Sequence, residues 1–249
     1  MKKNALIWDI PTRLFHWLLV ISIVAQYATA KWLDNAVQWH FYIGYFALFL
    51  VTFRILWGFV GTRYARFSQF VTGPKSVLVY LKSLFNKHAP PSEGHNPLGG
   101  WFVVVMLILV SVQAVSGLFM TDDIFLDGPY RHLATEAFTD IMSSIHHIAF
   151  DILLYVICLH ISAIVFYALY KKQRLVPAMV HGRKDVVEVT SENTENTSPV
   201  KVKHTGQQDA GIAHSMLFKA VVVAIIAAVI VYVAIEVYPP APEVDEYYY

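Results

Sequence analysis

A long apolar run at about residues 145–170 carries two histidines and limits most strongly what this chain can fold into. His146 and His160 are fourteen residues apart, about 40° short of four helical turns, so they share one helix face roughly 21 Å apart. His147 is turned by about 100° and points elsewhere. Imidazole is costly in hydrocarbon unless a partner holds it, and that partner is either a neighbouring helix or a haem iron.

Four other segments are also long and apolar enough to cross a membrane as helices. We predict five spans, at about residues 14–32, 39–59, 98–120, 145–170 and 216–238. The chain is 56% hydrophobic and only 15% charged, which is typical of a polytopic membrane protein and not of a soluble domain. A net charge of +1 gives no indication of nucleic-acid binding.

These spans predict an all-α integral membrane protein, with a four-helix transmembrane bundle and a fifth C-terminal transmembrane helix. The core covers residues 1–184, and its amphipathic segment at about 76–85 is predicted to lie along the membrane surface. Residues 185–214 are polar and predict a disordered linker on the cytoplasmic side. Residues 215–238 form the additional span, and residues 239–249 form an acidic tail.

The placement of basic residues predicts the orientation of the chain. All but two of the 19 Lys and Arg residues fall on one side of the five spans, the exceptions being Lys31 and Arg131. Because basic residues accumulate on the cytoplasmic side, we expect a cytoplasmic N-terminus and a periplasmic C-terminus in a bacterial inner membrane. The loop after the third span and the tail, both acidic, then face outward.

Orientation assigns each histidine a depth. His16 lies near the inner end of the first span and His40 near the outer end of the second. Since the fourth span runs inward, His146 is outer and His160 is inner. The histidines therefore form an inner and an outer pair, and each six-coordinate haem iron takes two imidazoles. This pattern predicts four iron ligands and two haems stacked within the bundle.

Four further residues of the spans bear on these pairs. Cys158 is the single cysteine, which excludes internal disulfides and covalent haem attachment through C-x-x-C-H, so the haems are non-covalent. Arg13 is expected to hold a haem propionate by a charge-assisted bond. Gly44, one turn after His40, either gives clearance for a flat macrocycle or serves helix packing. Asp151 either binds a histidine ring nitrogen or takes part in proton transfer.

Several stretches recur in the order of a known family. They are Trp8-Asp9-Ile10-Pro11-Thr12-Arg13-Leu14-Phe15-His16-Trp17, Trp39-His40-Phe41-Tyr42-Ile43-Gly44-Tyr45, Arg54-Ile55-Leu56-Trp57-Gly58-Phe59-Val60-Gly61, Ala65-Arg66-Phe67, Gly94-His95-Asn96-Pro97-Leu98-Gly99-Gly100-Trp101 and Gly117-Leu118-Phe119, with His146 and His160 closing the set. Over about residues 5–185 the chain resembles the prokaryotic cytochrome b561 family, related to the b-type cytochrome subunits of membrane nickel–iron hydrogenases and formate dehydrogenases.

The resemblance implies two b haems that carry electrons between the quinone pool and a partner redox protein. Such a family pairs ligands of the first and second helices with two on the fourth, in agreement with the depths above. The implied partners are membrane lipid, a quinone or quinol near one haem edge, and a periplasmic c-type cytochrome or a hydrogenase-like, membrane-associated oxidoreductase. As an electron-transfer subunit, the chain would oxidise or reduce quinone together with that partner. His147 departs from the acidic or similar polar residue expected there, which leaves the choice between His146 and His147 open.

Two other functions remain as alternatives. The chain could be a passive membrane anchor for a peripheral redox enzyme, with the fifth helix as an added docking element. It could also be a metal or proton transporter that uses the histidines as ion ligands. Against the transporter, the histidines form pairs at two depths and not one midplane site at a broken helix.

Overall fold

The computed structural model describes residues 2–86, 92, 94–122, 126–187 and 209–239. Its elements in chain order are β1 (Lys2–Leu6), α1 (Ile10–Lys31), α2 (Val37–Val60), α3 (Phe67–Phe70), α4 (Pro74–Ser83), α5 (Pro97–Gly117), a 3₁₀ turn (Arg131–Leu133), α6 (Glu136–Leu169), α7 (Leu175–His181), β2 (Arg183–Val187) and α8 (Asp209–Tyr232). A π-helical turn, Val233–Val237, continues α8.

Five helices of the described residues, α1, α2, α5, α6 and α8, are long and apolar enough to cross a membrane. The predicted fold class is therefore confirmed. The longest helix, α6, begins at Glu136, well before the predicted start at about residue 145. The reason is local, because the Thr135 side chain accepts a hydrogen bond from Phe138 N and caps the helix. The polar first turns of α6 do not resemble a membrane span, so hydropathy alone could not detect them.

The helices pack as two neighbouring pairs, α1 on α2 and α5 on α6, and α2 also contacts α5 and α8. On one side of α2, large side chains form a buried cluster with small residues of α8. The cluster includes Phe15, Leu50, Phe53, Trp57, Leu107, Ala220, Val223 and Ala227. The fifth span is therefore an integral part of the bundle and packs directly on its central helix.

A two-stranded antiparallel sheet closes one end of the bundle, which we call the sheet end. Leu6 pairs with Arg183 and Lys2 with Val187 across the two strands. Gly182 ends α7 with φ +79°, and its carbonyl accepts from Ile7 N at 2.8 Å and Trp8 N at 3.0 Å. A Cβ at Gly182 would lie 2.6 Å from the Trp8 carbonyl oxygen, so both its φ and the close approach require glycine.

Both ends of the predicted linker overlap elements of the structure. Its first three residues, 185–187, belong to β2, and residues from Asp209 onward already belong to α8. The pattern of polar residues predicted neither boundary, because strand pairing with the N-terminus is a long-range contact. Residues 188–208 of the linker and 240–249 of the tail lie outside the described residues.

A buried carboxylate ties α1 to α2 at the sheet end. Asp9 is the N-cap of α1, and its Oδ1 accepts from Thr12 N at 2.7 Å. Its Oδ2 accepts from Trp57 Nε1 at 3.1 Å and also from Thr62 Oγ1. Arg54, only 2% exposed, interacts electrostatically with Asp9, so the buried carboxylate has a buried counter-charge.

Candidate functional site

At the end of the bundle opposite the sheet, two histidines from different helices face each other. The ring centroids of His40 on α2 and His146 on α6 are 6.4 Å apart, with the ring planes at 74°. A metal–imidazole bond is about 2 Å long, so two such bonds in line plus the two ring radii span about 6 Å. The spacing therefore fits one metal atom held between the two rings.

The Nδ1 atom of His40 is held by α1. It lies 3.2 Å from the Gln26 carbonyl oxygen and 3.2 Å from Thr29 Oγ1. The Thr29 hydroxyl donates to backbone carbonyls of its own helix, at 2.9 Å and 3.1 Å, so it accepts from the ring. Both contacts favour the proton on Nδ1 and leave the Nε2 lone pair available to a metal.

The Nδ1 atom of His146 is held in the same way by α5. It lies 3.1 Å from the Gln113 carbonyl oxygen and 3.1 Å from Ser116 Oγ. The Ser116 hydroxyl donates to the same Gln113 carbonyl at 3.1 Å. The Gln113 side-chain amide lies 3.0 Å from His146 Nε2 and donates to it, which requires the same tautomer as in His40.

His40 and His146 thus each meet a carbonyl and a hydroxyl from a Gln-x-x-Thr or Gln-x-x-Ser segment on the preceding long helix. The side-chain oxygens of Gln26 and Gln113 are buried and have no hydrogen-bond partner among the described residues. The sequence analysis did not identify these segments. The available signal was a glutamine inside an apolar span, because polar side chains within membrane helices commonly hydrogen-bond to a neighbouring helix.

Two glycines allow this close packing. A Cβ at Gly44 would lie 3.0 Å from Gln26 Nε2, and a Cβ at Gly117 would lie 3.3 Å from His146 Cε1. The absence of a side chain at Gly44 therefore lets α2 pack closely against α1 at Gln26, which is the helix-packing role. The predicted role of Gly44 in giving clearance to a macrocycle stays a prediction.

At the sheet end, the structure also brings His16 on α1 close to His160 on α6, near enough for the two rings to interact electrostatically. Phe102 stacks on His160 with ring centroids 5.6 Å apart, and Trp17 lies edge-on to His16 at 5.1 Å. His16 Nδ1 is buried and has no hydrogen-bond partner within the described chain. The rings of His16 and His160 are therefore held mainly by packing, whereas those of His40 and His146 are held by hydrogen bonds.

The predicted neighbours of the pairs have distinct positions. Arg13 Nη1 donates to the Val180 carbonyl at 2.6 Å, which ties α1 to α7. Its Nε is buried and unpartnered in the described part of the chain, and a propionate contact stays a prediction. His147 is exposed, and its Nδ1 bonds to the Ser143 carbonyl at 2.8 Å, so His146 and not His147 faces His40.

The donor set indicates the kind of metal group that fits. Among the described residues no group of three or more His, Cys, Asp or Glu side chains converges on one point. Paired imidazoles without further protein ligands suit an iron whose remaining ligands come from a macrocycle, as in haem.

The fold and this arrangement define a class, the helical membrane proteins that hold paired imidazoles inside a transmembrane bundle. The family model for prokaryotic cytochrome b561 matches residues 7–182, which is most of the chain. The chain belongs to this family and is a b-type haem membrane protein that transfers electrons. Searches of curated proteins and of solved structures find no match. The helix α8 lies outside the matched residues.

Proposed function

We propose that the chain is a di-haem cytochrome that carries electrons across the inner membrane between the quinone pool and a partner redox protein. The observation that supports it best is the His40–His146 separation of 6.4 Å, with both Nδ1 atoms occupied by backbone carbonyls. The proposed partner is a periplasmic c-type cytochrome or a hydrogenase-like, membrane-associated oxidoreductase.

In this proposal His40 and His146 ligate the outer haem, and His16 and His160 ligate the inner haem. The haem supplies the one-electron chemistry when bound. The protein's share is to orient the rings and to set their basicity. Because Gln26 O and Gln113 O accept from Nδ1–H, they would increase electron donation from Nε2 to a bound iron and favour its oxidised state, once the Gln113 amide turns away from His146 Nε2.

The direction of the chain in the membrane is part of the proposal. Placing the sheet end in the cytoplasm agrees with the basic residues near it, among them Arg63, Arg66 and Lys171. The acidic loop before α6 then faces the periplasm, where it would attract a partner with a basic surface around its own haem. A quinone would bind in the membrane near one haem edge, and proton release would accompany its oxidation.

Haem stoichiometry and selective loss test the proposal. Purified protein should contain two haems per chain by pyridine haemochrome assay, both extractable with acid acetone because no cysteine attaches them. His40→Ala should remove the outer component of the redox-titrated spectrum, and His16→Ala should remove the inner one. His132→Ala, in the loop before α6, is the matched control and should keep both haems.

Particular results would contradict the proposal. One haem per chain would exclude the di-haem assignment, and acid-stable haem would exclude the b-type attachment. If His40→Ala and His16→Ala abolish the same spectral component, the pairing by depth is wrong. Reduction by quinol in membranes, followed at the haem bands, tests the quinone step separately.

A further inference from the structure

One face of α6 carries polar side chains along the whole membrane span, and we call it the polar stripe. Its members are Asp140, Ser144, His147, Asp151, Tyr155, Cys158 and Ser162, and all seven are exposed. At 100° per residue they fall within an arc of about 80°. The centre of that arc is turned by about 160° from the mean direction of His146 and His160. The stripe therefore faces away from the histidine pairs and toward the membrane.

The central carboxylate of the stripe lacks a partner. Asp151 lies about 7.5 Å deeper along α6 than His146, inside the span. Within the described residues it has no hydrogen bond and no ion pair. One turn earlier, His147 uses Nδ1 to bond the Ser143 carbonyl, which leaves its Nε2 free. Ionisable side chains inside membranes normally face a bundle interior or pair with one another, and here the bundle interior is on the other side.

The stripe is complementary to itself. In a pair of copies related by a two-fold axis along the membrane normal, equal residues of the two α6 helices lie at equal depth. His147 of one copy then lies one helical turn, about 6 Å along the axis, from the depth of the partner's Asp151. The two side chains can span this offset, so one imidazole and one carboxylate can pair on each side of the axis. Cys158 and Ser162, also four residues apart, are small, and small residues at this spacing allow two membrane helices to approach closely.

We propose that two copies of the chain associate in the membrane through the polar stripe, with His147 of each copy paired to the partner's Asp151. The fifth span leaves this face open, because α8 packs against α2. The inference rests only on the exposed face of α6 and holds whether or not the haem assignment is correct. It gives the membrane-facing histidine and aspartate a role that the proposed function does not supply.

The chain contains its own probe for this interface. Cys158 is the single cysteine and is exposed on the stripe, so two copies in the proposed arrangement bring their thiols together. Oxidation with copper phenanthroline, or a short bis-maleimide, should convert the full-length protein in its native membrane into a covalent dimer. A matched control is Cys158→Ser with Ile108→Cys, which moves the one thiol to an exposed position on α5. The control should give less than about a tenth of the dimer yield.

Variants of the acid–base pair test its part in the association. His147→Leu and Asp151→Leu should each lower the cross-linked fraction several-fold. The exchange His147→Asp with Asp151→His should restore it, since the reciprocal pairs form again with the residues swapped. Folding is followed by haem content, which should not change because the stripe faces away from the histidine pairs. In mild detergent the two leucine variants should elute as a single peak without aggregate, later than the wild-type protein because the dimer is lost.

Several outcomes would overturn the proposal. A wild-type chain that is monomeric in nanodiscs and forms no Cys158 dimer excludes the interface. A cross-link only to a different membrane protein shows that another subunit covers the stripe. Equal yields from Cys158 and from the Ile108→Cys control indicate random collision. In contrast, a wild-type protein that contains no haem but still forms the Cys158 dimer would refute the proposed function and leave the dimer proposal intact.

Discussion

Asp9 provides a sharp test of how the sheet end is stabilised. We consider Asp9→Asn, which keeps the size of the side chain and one carbonyl oxygen. That oxygen can still accept from Thr12 N and cap α1, because Asn is as good an N-cap as Asp. The amide nitrogen replaces Oδ2 and meets Trp57 Nε1, which can only donate. The Thr62 hydroxyl can rotate and accept instead.

The expected cost follows from these contacts. Losing the indole bond to a charged acceptor costs about 1.5–3 kcal/mol. Arg54 also loses its buried counter-charge. Breaking a buried pair in direct contact costs about 3–5 kcal/mol, which is the upper limit here because Arg54 and Asp9 interact without a hydrogen bond between them. The two contributions overlap, so we expect Asp9→Asn to lower the free energy of unfolding by roughly 2–4 kcal/mol. Asp9→Ala should cost about 1 kcal/mol more through loss of the cap.

Equilibrium unfolding in mixed detergent–SDS micelles measures this free energy. The control is Asp34→Asn in the exposed loop after α1, which should change it by less than about 0.5 kcal/mol. The double variant Asp9→Asn with Arg54→Met should be less destabilised than Asp9→Asn alone, since no unpaired charge remains buried. An Asp9→Asn protein as stable as the wild type, or a double variant that is worse than the single one, would refute this account.

Three further predictions concern the histidines and the topology. His146→Ala should lose one haem, whereas His147→Ala should keep both, measured by haemochrome assay. The opposite result would mean that His147, and not His146, is the ligand on α6. Burial and the nearby charges of Arg54 and Lys184 lower the pKa of His95 to about 3, from an ordinary value of 6.5. Between these values the unfolded chain binds a proton that the folded chain does not, so stability should fall from pH 6.5 toward pH 3, and His95→Gln should flatten that dependence in unfolding curves. A reporter active only in the periplasm and fused after Tyr249 should be active, and activity of a cytoplasmic reporter there would contradict the orientation.

The sequence determined the number of spans and the depth of each histidine. Crossing hydrocarbon needs about 20 consecutive apolar residues, which is a local and one-dimensional requirement. Because successive spans alternate in direction, His16 and His160 lie at one depth and His40 and His146 at another. The structure brings the two members of each pair together. The helical repeat also placed His146 and His147 on different faces of the helix. The 100° turn between adjacent residues is a property of the helix itself and does not depend on how neighbouring helices pack.

Only the tertiary structure decided which groups surround those histidines. The partners of His40 are Gln26 and Thr29, whose selection depends on how α1 rotates against α2. The docking of α8 on α2 and the pairing of β1 with β2 join residues far apart in the chain. Hydropathy also places Asp151 inside a span without stating which way it faces. Its outward direction is set by the opposite face of α6, where Leu153 packs with Val110 of α5 and Val51 of α2.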